Sequence, residues 1–254
     1  MSVKLKVCTF NLRVISSGDG INIFENRKGR VLETVREYAP DLIGFQEASD
    51  SMHAFLRDSL REYTLIGCGR EANLRGEHVP LAFRTEAFEM IRSECFWLSP
   101  TPSVAGSRYE DQSSCPRITT AVLLKHHGAD KYFWFINTHL DHKSSSARQL
   151  GAQHLVNYIG AHSESFVITG DFNATPDSPE ILIFTENERI KNATENIGGT
   201  FHAFGKIPSG EMKQIDYIFT DLKADASEAF SVKDEPKNGI YISDHRPVFA
   251  FVEI

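Results

Sequence analysis

The chain has 254 residues, 41% apolar and 11% aromatic, enough to fill a sizeable core in one large domain or two small ones. Its net charge of −7 argues against a protein that coats long nucleic acid, which needs a basic face against many phosphates. A carboxylate-rich metal site would add negative charge of its own, which bound cations would offset.

Alternation of apolar and polar residues predicts a first strand over residues 5–11. Val31, Leu32, Val35 and Tyr38 then share one face of a helix over 28–38, ended by Ala39-Pro40-Asp41 before a strand over 42–47. A short helix fits 52–60, followed by strands over 63–67, 79–84 and 88–97. Residues 117–125 and 132–139 read as a hairpin joined through 126–130. The longest helix is expected over 146–162, with Leu150, Leu155, Tyr158 and Ile159 inward, before a buried strand over 166–169. Ser178-Pro179-Glu180 has the order of an N-cap, an N1 proline and a first-turn acid. The tail alternates strands at 212–219, more weakly at 224–232, and at 247–252. Few helices among many strands favour an α+β sandwich of two sheets over a doubly wound parallel sheet.

No linker, repeat or low-complexity segment divides the chain, so a single domain over residues 1–254 is expected. The opening residues run straight into the first strand without a signal-like apolar stretch, and no segment reaches membrane-spanning length. Cys8, Cys68, Cys95 and Cys115 have no C-x-x-C spacing and read as reduced core thiols. A cytoplasmic monomer without a membrane segment is the expectation.

Several strand-like runs stop on a side chain able to bind a metal or move a proton. Asn11, Glu47, His139, the Asp171-Phe172-Asn173 triplet, Asp216 and the Asp244-His245 pair all stand at such ends. Buried strands put such ends into a shared crevice. Glu47 closes an apolar strand, where a cation is a natural partner for its charge; a first-turn acid for the next helix is the competing reading. Asp171 and Asn173, two apart on an extended segment, would face one ligand as acceptor and donor, whereas an Asx turn is the alternative. His245 needs a carboxylate to fix its tautomer, and Asp216 is the best supplier. Asp244 and His245 serve one site only if the chain bends at Arg246-Pro247. Asp141 and His142 read as rim residues near His139, and Glu77 either as lining the pocket or, as a loop position favours, as a solvated acid. Phe96 and Trp97 would stack a base only if they left the core, where strand aromatics more often sit.

Together these segments resemble the endonuclease/exonuclease/phosphatase superfamily of metal-dependent phosphoesterases. Thr9-Phe10-Asn11-Leu12-Arg13, the run from Pro40 to Glu47, Asn137-Thr138-His139-Leu140, Gly170-Asp171-Phe172-Asn173, Ile215-Asp216-Tyr217-Ile218 and Ser243-Asp244-His245-Arg246-Pro247 appear in the family's order. The resemblance implies a four-layer αββα sandwich of two mixed sheets flanked by helices, with Mg²⁺ or Mn²⁺ as cofactor. It implies that Glu47, Asn11 and Asp244 hold the metal and that Asp171 orients the attacking water. Asn173 and Arg117 would contact the phosphate, although Arg117 reads equally as a surface strand residue. His245, buttressed by Asp216, would stabilise the developing charge, and His139 would assist or protonate the leaving oxygen.

Asn11-Leu12-Arg13 and Thr138-His139-Leu140-Asp141-His142 are similar to the bacterial proteins nearest the deadenylase and nocturnin branch. The patterns of apurinic-site endonucleases and inositol polyphosphate 5-phosphatases are absent. A phosphodiester substrate, as a nucleic-acid end or nucleotide, is therefore expected. The alternatives are a phosphomonoester of a small sugar, nucleotide or inositol, and a non-catalytic binding protein on the same fold.

Overall fold

Two parallel βαβ units set the frame of this computed structural model, which describes residues 2–254. In the first, β1 (Lys4–Asn11) runs through α1 (Phe24–Tyr38) to β2 (Leu42–Gln46). In the second, β7 (Lys131–His139) runs through α3 (Ser145–Gly160) to β8 (Ser165–Asp171). The α2 helix (Asp50–Ser59), β3 (Tyr63–Ile66), β4 (Leu81–Arg84), β5 (Phe88–Trp97) and β6 (Ile118–His126) lie between the units. After the second come α4 (Pro179–Thr185), β9 (Lys191–Asn192), β10 (Asp216–Thr220), β11 (Lys223–Ala224), β12 (Phe230–Ser231) and β13 (Val248–Glu253). One sheet has the order β11-β13-β1-β2-β4-β3, with β12 also on β13, and the other the order β5-β6-β7-β8-β10-β9.

Three apolar clusters make the layers. Val31, Val35, Met52 and Leu56 of α1 and α2 pack on Phe10, Phe45 and Phe249 of the first sheet. Leu155, Ile159, Ile181 and Phe184 of α3 and α4 pack on Trp134, Phe166 and Phe219 of the second. Between the sheets Val7, Leu42 and Ala250 meet Phe133, Phe135 and Val167. The result is the α+β four-layer sandwich that the sequence implies.

The interface between the sheets is not uniformly apolar. Gln46 Nε2 donates to Thr9 Oγ1 at 3.0 Å and across the seam to Asn137 Oδ1 at 2.7 Å. Asn137 Nδ2 donates to Phe45 O at 2.6 Å and Pro80 O at 3.1 Å, and Thr169 Oγ1 donates to Asn137 Oδ1 at 3.1 Å. Gly44 makes room for this network: a Cβ there would stand 2.0 Å from Thr169 Oγ1 and 2.5 Å from Asn137 Oδ1. Gly44→Ala is expected to lower stability by about 1–3 kcal/mol through overpacking, read from the urea midpoint.

Some boundaries differ from expectation. The first helix begins at Phe24, four residues early, because Phe24 and Arg27 are themselves buried and a 3-10 turn at Ser17–Asn22 feeds it. Leu150 is 46% exposed; α3 instead buries Ala147, Gly151 and Ala152, since Gly151 lies close against Leu98 and Leu140. The strand expected from 212 begins at Asp216, because Lys213 pairs with Phe201. The weak strand over 224–232 is two short pieces around a 3-10 turn at Ala226–Glu228. Among the cysteines only Cys8 is fully buried; the other three are half-buried, and all four are free thiols. Among the described residues no helix is long and apolar enough to cross a membrane.

Candidate active site

Both βαβ units deliver polar groups at the carboxyl ends of their strands, at one end of the sandwich. Asn11 pairs in register with Gln46, just before Glu47, and His139 pairs with Asp171. On β10, antiparallel to β8, Asp216 lies directly opposite Asp171. The segment before β13 brings in Asp244 and His245, while Ser243 Oγ donates to Asn11 O at 2.7 Å. Glu47, Asn173 and Arg13 follow strands with φ of 59°, 50° and 57°. Left-handed backbone at non-glycine residues is strained and concentrates at functional sites.

Glu47, His139, Asp171, Asn173, Asp244 and His245 line a cavity of about 310 Å³, together with Arg13, Arg70, Glu77, Arg117 and His142, while Asn11 and Asp216 stand behind that lining. A larger open groove of about 1060 Å³ lies beside α4 and β9, but histidine is absent from its walls. Asn11 bridges two carboxylates, its Nδ2 donating to Glu47 Oε1 at 3.1 Å and to Asp171 Oδ2 at 2.9 Å. Its Oδ1 accepts from Arg13 N at 2.8 Å, and Glu47 Oε2 accepts from Val14 N at 2.7 Å. Asp171 Oδ1 accepts from Asn173 N at 2.9 Å, so the Asx-turn geometry and convergence on one site coexist. Asn173 reaches inward through this turn, not along the extended segment that the spacing implied. Its Nδ2 donates to Leu140 O at 3.1 Å and lies 3.0 Å from His139 Nε2.

Electrostatics separates the two histidines. Burial lowers the affinity of His245 for a proton, but Asp216, Asp171 and Asp244 outweigh it and raise its pKa to about 10. Its Nδ1 donates to Asp216 Oδ2 at 2.9 Å, an oxygen that also accepts from Thr200 Oγ1 at 2.6 Å. His139 is held well below its ordinary value by burial and by Arg117 and Arg70. These surroundings favour the charged form of His245 and the neutral form of His139. Burial and Asp216 raise the Asp171 carboxyl above the ordinary range, with His245 and the Asn173 N–H opposing.

Divalent metal fits this donor set. Glu47, His139 and Asp171 place ligand atoms within 4.8 Å of one another, as do Asp171, Asp216 and His245. Buried Asp216 Oδ1 has no hydrogen-bond partner. Oxygen-rich sites suit Mg²⁺ and Mn²⁺.

Several sequence readings are corrected. Ser49 caps α2 and Asp50 supplies its first-turn acid, which leaves Glu47 to the cavity. Asp141 is not at the rim: it is 2% exposed and accepts from Ser113, Lys143 and Ser144 N–H groups, fixing the start of α3. Arg117 is buried, with Nη2 2.9 Å from His142 Nδ1. Glu77 is no solvated acid, because both its oxygens accept from Arg70, at 2.6 and 2.7 Å. Arg13, directly after the Asn11-Leu12 pair, and Arg70 join the site as basic residues of the cavity lining. Phe96 and Trp97 are core residues.

Residues 8–245 match the endonuclease/exonuclease/phosphatase family, and the chain belongs to it. Members of that family hydrolyse phosphoester bonds. An endonuclease/exonuclease/phosphatase from Bacteroides vulgatus is 31% identical, with 99% of each chain covered and a TM-score of 0.92. A mannosyl-6-phosphatase from Bacteroides thetaiotaomicron is 25% identical, covering 98% of this chain and 99% of its own, with a TM-score of 0.88. The human nocturnin catalytic domain, 18% identical over 100% of this chain and 97% of its own, has a TM-score of 0.75 and shows the shared fold alone. Comparison with curated proteins by sequence gave no significant match.

Proposed function

We propose that this protein is a Mg²⁺- or Mn²⁺-dependent hydrolase that cleaves a small phosphomonoester, a sugar phosphate above all, by in-line attack of water. The observation that carries the reaction is the Asp171–His245–Asp216 chain. Asp171, its proton affinity raised by burial, takes a proton from water, and the imidazolium of His245, fixed by Asp216, faces the charge that develops on phosphorus. Arg117 would hold the phosphate oxygens, and Asn173 would join it by exchanging its Nδ2 bond to His139 Nε2 for one to a phosphate oxygen. His139, as a neutral acceptor beside Asn173 Nδ2, positions that amide in place of the proton-donor role read from the sequence. Glu47 would hold the cation together with Asp244, whose carboxyl is raised above its ordinary value by burial and by the nearby Glu47 charge, with His245 opposing, and Asn11 sets the Glu47 carboxylate. When bound, the cation would polarise the phosphoryl group and offset its charge.

A monoester is favoured over the diester expected from sequence. The cavity is at the small end of ligand sites and lined chiefly by charged groups, with Phe201 its aromatic residue among the described lining. The aromatics that would have stacked a base are in the core. Similarity to the mannosyl-6-phosphatase supports a sugar phosphate.

A panel of mono- and diesters assayed with Mg²⁺, Mn²⁺ or EDTA tests this. Turnover of hexose 6-phosphate exceeding that of bis-nitrophenyl phosphate, and lost on chelation, is expected. Chelator-insensitive turnover, or a clear preference for the diester, would sink the proposal.

A further inference from the structure

Arg70 and Glu77 occupy the wall of the cavity away from the Asp171–His245 pair, and their strongest bonds run to each other. Arg70 Nη1 and Nη2 donate to the two oxygens of Glu77 at 2.7 and 2.6 Å, with side-chain exposures of 12% and 21%. Such an in-plane fork is rigid, and its charges cancel. Arg117 is likewise matched, its Nε 3.6 Å from Asp141 Oδ1. This wall is therefore close to neutral, but not satisfied. The fork uses one hydrogen of each of Arg70 Nη1 and Nη2 and one lone pair of each Glu77 oxygen, so each of these atoms keeps a second hydrogen or lone pair to offer.

The loop that carries the pair is fixed to both sides of the site. Arg70 N donates to Glu77 O at 3.0 Å and Gly69 N to Leu74 O at 3.0 Å, closing the loop on itself. His78 N donates to Ala48 O at 2.8 Å, next to Glu47, while Trp97 Nε1 donates to Arg70 O at 2.6 Å. Gly106 presses on the far side, where a Cβ would come within 2.8 Å of Ala72 N. The fork is thus held at a set position relative to Glu47, as preorganised recognition requires.

We propose that Arg70 and Glu77 select the leaving group by binding neighbouring hydroxyls of a sugar, with Arg70 donating and Glu77 accepting; this rests on the monoesterase reading. A hydroxyl both donates and accepts, which suits a neutral wall with open donors beside open lone pairs. A second phosphate would instead meet Glu77, whose charge already balances Arg70.

The test compares wild type, Glu77→Gln and Arg70→Lys on three substrates with Mg²⁺: hexose 6-phosphate, hexose 1,6-bisphosphate and p-nitrophenyl phosphate, which has no hydroxyls. Lysine keeps the charge of Arg70 but loses the fork. In each variant the ratio of kcat/KM for hexose 6-phosphate to that for p-nitrophenyl phosphate is expected to fall roughly 10- to 100-fold, mostly through KM. Equal losses on those two substrates would overturn the assignment by making the pair a scaffold. So would a wild-type preference for the bisphosphate that Arg70→Lys abolishes, since the subsite would then bind an anion. Wild type inert toward all three substrates would overturn the monoesterase reading itself, a result distinct from either.

Discussion

Asp171→Asn is expected to lower kcat by roughly 10²- to 10⁴-fold, the usual contribution of a positioned proton acceptor. Asp171 is the acid that both βαβ units and β10 close upon: Asn11 and the Asn173 N–H bond to it, and His139 and His245 lie within 3.5 and 3.7 Å. Asparagine preserves the shape but cannot take a proton from water. His245→Gln removes the charge that faces the phosphorus and is expected to cost on the order of 10²- to 10³-fold. The two losses should not add in the double variant, because both side chains act on one transition state. Steady-state kinetics of the three variants, with thermal unfolding as a check on folding, decides this. Near wild-type turnover in Asp171→Asn would remove Asp171 from the chemistry.

Arg27→Met is expected to lower stability by about 3–5 kcal/mol, as removing one member of a buried polar set does. The Arg27 side chain is fully buried, and its direct acceptors are carbonyls. Nε donates to Asn22 O at 2.6 Å, Nη1 to Leu12 O at 2.8 Å and Ile242 O at 2.9 Å, and Nη2 to Arg13 O at 3.0 Å. Burial lowers its pKa to about 10, with Asp244 and Asp19 opposing. Methionine would leave those carbonyls unpaired. Arg27→Lys is expected to recover only part of the loss, because one ammonium cannot span acceptors on three segments. Equilibrium urea unfolding gives both values; a change below 1 kcal/mol in Arg27→Met would show that water replaces the guanidinium freely.

Strand ends were legible in the sequence because each is an apolar run broken by a polar group, and their joint order carried the fold. Asp216 could be paired with His245 for the same reason: an acid isolated between Ile215 and Tyr217 needs a partner. Residues on loops were harder. Glu77 and Arg70 are seven positions apart in a mostly polar segment, and nothing local shows that the loop folds back until their side chains meet. Arg27 lies just before the helix expected from residue 28 and carries no local signal, since its acceptors lie on the turn before α1, after β1 and before Asp244. Asp141 was misplaced because His139 and His142 drew it toward the site, whereas its bonds serve the start of α3. The buried face of α3 includes Ala147, Gly151 and Ala152, small residues that give little apolar periodicity in the sequence.

The polar seam at Gln46, Asn137 and Thr169 has a consequence for how the active site tolerates change. One sheet supplies Asn11, Glu47 and the chain leading to Asp244, the other His139, Asp171, Asn173 and Asp216, so reacting groups from both halves meet only when the halves are aligned. Apolar faces alone would allow neighbouring alignments of similar energy, one strand residue or about 3.3 Å apart. Side-chain amides that must find particular carbonyls across the seam remove that degeneracy. The amides of Gln46 and Asn137 thus act as a vernier between the two sheets, converting a slippery contact into one setting.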